Sequence, residues 1–166
     1  MLAPDNTLEL SPQNSHRRAR ELLTDSFFWD FYDENTPLGN DTGADTFAIY
    51  RQWRTKHPTS SVQLFIKQLL IDWEIDNINW PLNDGAQLQE ALEKNYFSIL
   101  TTDDFMIALA MTQLILEGQV DQEVRDMAYN CVQRQTTNTV ISFRGWTNVE
   151  ERISRLRKIL YVLENI

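Results

Sequence analysis

The segment from Phe105 to Leu116 is apolar on nearly every side once it is wound into a helix, and this feature constrains the fold most. Such a helix has to be covered by other elements all round, because apolar surface left in water is unfavourable. Gly118 follows the segment and predicts its end. We therefore expect one central, buried helix with the other elements packed around it.

Helical spacing of apolar residues recurs along most of the chain. It is clearest between Thr59 and Glu74, where the large apolar side chains fall on one face of a helix. Further helices are predicted at about 16–23, 27–32, 41–57, 85–100, 101–118, 121–135 and 148–164. The prediction is an all-α fold: an N-terminal arm over residues 1–13, followed by a single compact domain of about seven or eight helices over residues 14–166.

Two segments depart from helical spacing. Thr7–Leu10 fits a short edge strand, and Thr139–Phe143 fits either a short strand or an extended connector. The all-α prediction therefore leaves room for one short strand pair.

The charge balance excludes several classes of function. The chain carries 24 acids against 15 bases, a net charge of −9. Nucleic-acid binders and proteins of anionic membrane surfaces need clustered bases, so both roles are disfavoured, and a basic protein or a cation is the natural partner. The longest apolar run, Phe105–Met111, is too short to predict a membrane span, and Met1–Leu10 lacks the apolar run of a signal peptide. Cys131 is the only cysteine, so no internal disulfide is possible, which is consistent with the cytoplasm.

The strongest hint of function is the segment from Glu21 to Tyr50, which contains seven acids and no Lys or Arg. Aromatic side chains are interleaved with these acids. A run of this kind either binds something positive or lies at a partner surface. The acids are Glu21, Asp25, Asp30, Asp33, Glu34, Asp41 and Asp45; the aromatics between 27 and 32 are Phe27, Phe28, Trp29, Phe31 and Tyr32.

Within this segment, the loop around Gly39 and Gly43 has two interpretations. Oxygen ligands from the stretch Asp33–Asp45 could hold a hard divalent cation, although the twelve-residue EF-hand pattern is absent. Alternatively, Asn40 or Asp41 caps the following helix, and the capping interpretation is favoured because such N-caps are common. A catalytic carboxylate pair is disfavoured, since no His, Ser or Cys within the motif would complete a nucleophile and base.

Basic residues gather late in the chain. Arg144, Arg152, Arg155, Arg157 and Lys158 all follow the acidic segment Glu21–Tyr50 and a second stretch, Gln68–Glu93, which contains Asp72, Glu74, Asp76, Asp84 and Glu90. They fit three arrangements: a solvated stripe on the last helix, ion pairs with the acids within one chain, or ion pairs across a dimer.

The chain resembles the YfeS-like family of small bacterial proteins over about residues 22–73. The resemblance rests on Phe27-Phe28-Trp29, on the stretch from Pro37 to Asp45, and on Tyr50-Arg51-Gln52-Trp53-Arg54. The family has no established reaction, so it implies a bacterial source but no activity. The pattern Asn40-Asp41 with Asp45 is also similar to motifs of small acidic proteins found beside bacterial toxins.

Together these patterns predict a non-enzymatic, cytoplasmic interaction protein without a cofactor, for example an immunity protein that neutralises a basic toxin such as a nuclease. A divalent-cation protein with its site at Asp33–Asp45 and a homo-oligomeric structural protein are the alternatives. The predicted partner-binding residues are Trp29, Asp30, Tyr32, Asp33, Glu34, Asn40, Asp41 and Asp45.

Overall fold

The computed structural model describes residues 10–75 and 85–166, and within these ranges the fold is helical with no strand. The prediction of a compact all-α fold is confirmed. The α-helices are α1 Arg17–Leu22, α2 Asp41–Lys56, α3 Val62–Asp72, α4 Gly85–Glu117, α5 Gln122–Gln135, α6 Asn138–Arg144 and α7 Val149–Glu164; two short 3-10 helices span Pro12–Asn14 and Ser26–Trp29.

Polar caps and glycines set the helix ends. The Ser61 side chain accepts a hydrogen bond at the start of α3, and Thr137 does the same for α6. Gly118 after α4 and Gly145 after α6 have φ of 71° and 65°, a left-handed conformation that L side chains rarely adopt. The predicted end of the central helix at Gly118 is confirmed.

The centre of the fold is the C-terminal half of α4. Every residue from Phe105 to Ile115 is buried. Helix α2 packs on one side of α4 and α5 on another, while α7 packs against α5. This arrangement confirms the prediction of a central buried helix and brings the start of α2 close to α6 and α7, with which it shares a cleft.

Helix α4 is long and apolar enough, by length and composition, to cross a membrane. However, 78% of its apolar 18-residue window is buried inside the fold. This is consistent with the core helix of a soluble protein, whose apolar surface is covered by neighbouring helices.

Two sequence-based boundaries are wrong. We expected one helix to end at Leu100 and another to begin at Thr101, but the chain is helical from Gly85 to Glu117, with non-helical backbone angles only at Asn95. The Asn95 side chain accepts a hydrogen bond from the backbone N–H of Ser98, as an N-cap does (3.3 Å). The polar residue that interrupts the helix therefore lies six positions before the predicted boundary.

The segment Thr139–Phe143 is neither a strand nor an extended connector, because it lies within α6. Its β-branched residues favour a strand, but the cap at Thr137, the left-handed Gly145 and the burial of Val140 define one short helix instead. Residues 7–9 of the predicted edge strand lie outside the described residues, and so do residues 76–84, which connect the helices predicted at 59–74 and 85–100. Leu10, the last residue of the predicted edge strand within the arm, is buried in the core.

Candidate functional site

The acidic segment is anchored to the core by its aromatic residues. Phe27 and Phe28 are buried. The indole N–H of Trp29 donates to the carbonyl of Leu23 (2.9 Å), and its ring is partly buried against the core. Tyr32 is 97% exposed. Of the two aromatics predicted to bind a partner, Trp29 thus serves mainly in packing, while Tyr32 presents its whole side chain to solvent.

The turn after Trp29 is fixed by its own polar groups. One carboxylate oxygen of Asp30 accepts the backbone N–H groups of Tyr32 (2.7 Å) and Asp33 (3.2 Å). The Thr36 hydroxyl is hydrogen-bonded to the carbonyl oxygens of Asp30 (2.6 Å) and Asp33 (2.8 Å). Asp30 is therefore engaged in shaping the turn, since local Asx bonds of this kind define loop conformation.

The loop continues into a capped helix. The Asn40 side chain accepts the backbone N–H of Gly43 (2.8 Å) and donates to the Thr36 carbonyl (3.3 Å). A Cβ atom at Gly39 would overlap the Asp33 carbonyl, and one at Gly43 would overlap the Pro37 carbonyl. The capping interpretation of Asn40 is confirmed, and both glycines are required by close backbone approach.

Two acids of the segment form ion pairs with bases on α7. Arg155 contacts Asp33, and Lys158 contacts Asp25. The hydrogen bond from Arg155 holds the pKa of Asp33 below its ordinary value, and the hydrogen bond from Lys158 does the same to the pKa of Asp25. Of the three arrangements proposed for the late bases, pairing within one chain is the one found for Arg155 and Lys158.

Three further acids have no such partner. Glu34, Asp41 and Asp45 are exposed, and no Lys, Arg or His of the described residues forms an ion pair with them. Asp41 and Asp45 are four residues apart on α2, so their side chains lie one turn apart on the same side of the helix. We call Tyr32, Glu34, Asp41 and Asp45 the acidic face.

The loop residues proposed as cation ligands accept hydrogen bonds from the backbone. No group of three or more His, Cys, Asp or Glu side chains there is arranged to hold a metal ion. The oxygens of Asp30, Asp33 and Asn40 that the sequence offers as ligands accept hydrogen bonds from backbone N–H groups. These contacts give the polar residues of the loop a structural role.

Helices α4 and α5 are joined by a buried ion pair that we did not expect from the sequence. Asp103 and Arg134 are both fully buried, with Arg134 Nη2 2.6 Å and Nε 3.0 Å from Asp103 Oδ1. Asp103 and Asp104 were expected in the first turn of a helix, but α4 is continuous there. A signal was present: Arg134 is three residues after Cys131 and so lies near the apolar face of α5.

A second set of hydrogen bonds starts at Asp104, the residue after Asp103, and reaches the loop. Asp104 Oδ1 accepts from Arg144 (3.0 Å) and from Gln135 (2.9 Å). The Gln135 carbonyl oxygen in turn accepts from Arg152 (2.7 Å), whose other terminal nitrogen donates to the Asn35 carbonyl (2.6 Å). The acidic loop is thereby attached to α4, α5 and α7.

Residues of the resembling motif on α2 also have a structural role. The Tyr50 hydroxyl donates to Glu117 (2.5 Å), and Arg54 Nε contacts the same carboxylate oxygen (3.0 Å). Burial, together with the Glu117 carboxylate, raises the pKa of Tyr50 to about 12. The phenol therefore stays protonated and ties α2 to the end of α4.

The thiol and the imidazoles do not form a nucleophilic site. Cys131 is fully buried, and burial raises the pKa of its thiol well above the ordinary value. His16 Nδ1 accepts the Arg18 backbone N–H at the start of α1 (3.2 Å), and His57 ends α2 with its ring 5.1 Å from that of Trp53. Each of these groups has a packing or capping role.

No protein-family model matches the chain, and neither a curated protein nor a solved structure is significantly similar to it.

Proposed function

We propose that the protein is a non-enzymatic interaction protein that binds a basic protein partner through its acidic face. One observation carries the proposal: Glu34, Asp41 and Asp45 are exposed without an ion pair in the described residues, and Tyr32, two residues before Glu34, is 97% exposed. The neighbouring acids Asp25 and Asp33 are engaged by α7. Partner binding is therefore assigned to the acids that the fold does not use.

Physical principles support this assignment. Unneutralised charge on one face accelerates encounter with an oppositely charged protein, and the effect weakens with salt. An exposed tyrosine adds apolar area and a hydroxyl at little conformational cost, and tyrosines are enriched among residues that dominate binding. The surrounding loop is held by Asn40 and Thr36, so little order has to be gained on binding.

The partner we propose is a basic toxin of bacteria, for example a nuclease, and the protein would be its cytoplasmic immunity protein. Active sites that bind phosphate are cationic, so a protein with a net charge of −9 and an exposed acidic face is suited to covering one. The resemblance of the loop to motifs found beside bacterial toxins supports the same choice.

The test is a pull-down from the native organism with three baits, eluted by a salt gradient and analysed by mass spectrometry. The baits are the unaltered protein, the variant Asp41→Asn/Asp45→Asn, and the control Asp72→Asn/Glu150→Gln. The control removes the same charge from exposed sites, and Glu150, like Asp41, lies in the first turn of its helix.

We expect a basic protein to be captured by the unaltered bait and by the control, and to be weakened only with the acidic-face variant. Equal capture by all three baits contradicts the assignment of the face. An empty pull-down, or capture of acidic proteins only, contradicts the proposed function and favours a search for self-association or for cation binding.

A further inference from the structure

A cavity of about 430 Å³ lies between α7 and residues 22–28, at the end of α1 and in the short helix that follows it. Its lining combines apolar side chains with charges of both signs. None of its residues belongs to the acidic face. The volume is in the range of sites that hold small molecules.

The apolar side chains of the cavity offer surface to a ligand. Phe28 and Val162 are almost fully buried and close its inner end. Leu22 is half-buried and Tyr161 is 63% exposed, so these two side chains are the ones a ligand can cover. Removing apolar surface from water is favourable, and a ligand with an apolar body is therefore preferred.

Four charged side chains line the cavity, and two of them are paired with each other. Lys158 forms an ion pair with Asp25. Glu150 and Arg157 are exposed, and neither forms an ion pair with another of the described residues. The cavity thus offers one unpaired carboxylate and one unpaired guanidinium, which suit a ligand that carries both an ammonium and a carboxylate.

The spacing of these two charges indicates the length of the ligand. Glu150 and Arg157 are seven residues apart on α7, so their Cα atoms lie on the same side of the helix and about 10 Å apart. Helical side chains lean toward the N-terminus, and the longer Arg157 side chain reaches back further than that of Glu150.

A dipeptide matches this spacing better than a single amino acid does. An extended chain spans about 3.3 to 3.6 Å per residue, so the two charged ends of a dipeptide lie about 7 Å apart. In a single amino acid the two charged groups are attached to the same carbon atom and are too close together. Ser154 also lines the cavity, between Glu150 and Arg157 along the helix, where its hydroxyl can bond the peptide amide.

We propose that this cavity binds a dipeptide with apolar side chains. Its ammonium group donates to Glu150, its carboxylate accepts from Arg157, and its side chains pack against Leu22 and Tyr161. Capture of free peptide ends by charged groups is a recurring mode of recognition. The site goes beyond the proposed binding of a protein partner and does not depend on it. Because the two sites share no residue, a substitution at Glu150 tests the dipeptide and leaves the acidic face as it is.

The experiment is an NMR titration that follows the backbone amide signals of Ser154 and Arg157 in the unaltered protein. The probes are leucyl-leucine, its N-acetyl form, its C-terminal amide and glycyl-glycine. We expect leucyl-leucine to shift both signals at millimolar concentration. Each blocked form should bind about threefold more weakly, since one exposed ion pair is lost. Glycyl-glycine, which has no apolar side chains, should leave both signals in place.

Two variants identify which end of the dipeptide each charge binds. In Arg157→Gln, leucyl-leucine and its amide should bind equally, and in Glu150→Gln, leucyl-leucine and its N-acetyl form should bind equally. The matched controls are Lys67→Gln and Asp72→Asn, which remove one exposed charge of each sign from α3 and should preserve all the differences between probes.

The proposal is overturned if leucyl-leucine shifts neither signal, or if the blocked forms bind to the unaltered protein as tightly as leucyl-leucine does. Differences between probes that persist in Arg157→Gln and Glu150→Gln would show that other residues bind the two ends, and would overturn this assignment. The comparison of probes on the unaltered protein stands even if a variant fails to fold.

Discussion

The two halves of the acidic segment have similar composition but different environments. In the first half, Asp25 and Asp33 are paired with Lys158 and Arg155 of α7. In the second half, Asp41 and Asp45 are exposed and have no ion pair in the described residues. We call these the paired half and the unpaired half, with Glu34 belonging to the unpaired half.

The difference teaches that a run of acids is not one functional unit. The acids of the segment differ in whether a basic residue of α7 lies close enough to form an ion pair. Acids opposite α7 help to hold the loop in place, and those opposite solvent stay available to a partner. Substitutions should therefore separate stability from binding, with the largest losses of stability where an acid is most deeply buried.

The largest effect on stability is expected at the buried pair between α4 and α5. Asp103→Ala leaves the Arg134 charge buried without its partner and should lower the free energy of unfolding by about 3 to 5 kcal/mol. Urea denaturation measures the loss. The exposed Asp72→Ala is the control and should change the free energy by no more than about 0.5 kcal/mol. Equal stability of the two variants would show that this pair does not hold the core.

The paired half should show a smaller and pH-dependent effect. Asp33→Asn keeps the shape and the acceptor for Asn35 N–H but removes the charge that Arg155 contacts, so it should lower stability by up to about 1 kcal/mol at neutral pH. The pKa of Asp33 is lowered in the folded protein. Its contribution is therefore complete above the ordinary carboxyl pKa of 3.8 and is lost as the pH falls through the lowered value.

Thermal melts of the unaltered protein and of Asp33→Asn, recorded between neutral and acidic pH, test whether the contribution of Asp33 to stability is lost as the pH falls. The difference between the two melting temperatures should shrink as the pH falls, whereas Glu34→Gln should track the unaltered protein throughout. A difference that grows toward acidic pH would contradict the ion pair as its cause.

Tyr32 should separate binding from stability most clearly. Tyr32→Ala removes a ring that is 97% exposed, so the free energy of unfolding should change by no more than about 0.5 kcal/mol. Affinity for the captured partner should fall by about tenfold or more, as for an interface tyrosine. Tyr161→Ala, which removes a 63% exposed ring from α7, is the matched control for both measurements. A loss of affinity that is equal in both variants would remove Tyr32 from the interface.

The smallest effect on stability is expected from single neutralisations in the unpaired half. Asp45→Asn has no ion pair to lose and should be neutral, while Asp41→Asn should cost a few tenths of a kcal/mol because a carboxylate in the first turn of α2 favours the helix dipole. Urea denaturation of the two variants side by side checks the order. A larger loss of stability for Asp45→Asn than for Asp41→Asn would show that Asp45 makes a contact that stabilises the fold.

Much of the fold follows from local signals in the sequence. The Asn40 cap, the spacing of apolar residues in α3 and the run of apolar residues in α4 each act within a few turns, so the sequence predicts them well. Helix α6 was not predicted because its β-branched residues favour a strand. The helix is instead defined by its ends, which are the N-cap Thr137 and the left-handed Gly145.

The candidate site was predictable only in part. The sequence indicates which residues are acidic, but pairing is decided by residues more than a hundred positions away, such as Arg155 for Asp33. The spacing of Arg134 from Cys131 places it near the apolar face of α5, but its pairing with Asp103 depends on the contact between α4 and α5. Trp29 illustrates the same point, since its burial depends on how the short helix that contains it packs against the core.

The most direct measurement is the association rate constant for the captured basic partner as a function of ionic strength. It would be determined for the unaltered protein, for Asp41→Asn/Asp45→Asn and for the control Asp72→Asn/Glu150→Gln. If the unpaired half attracts the partner, only the first variant associates more slowly at low salt, and its salt dependence is shallower. Identical salt dependence for all three proteins would contradict the division into a paired half that holds the loop and an unpaired half that binds.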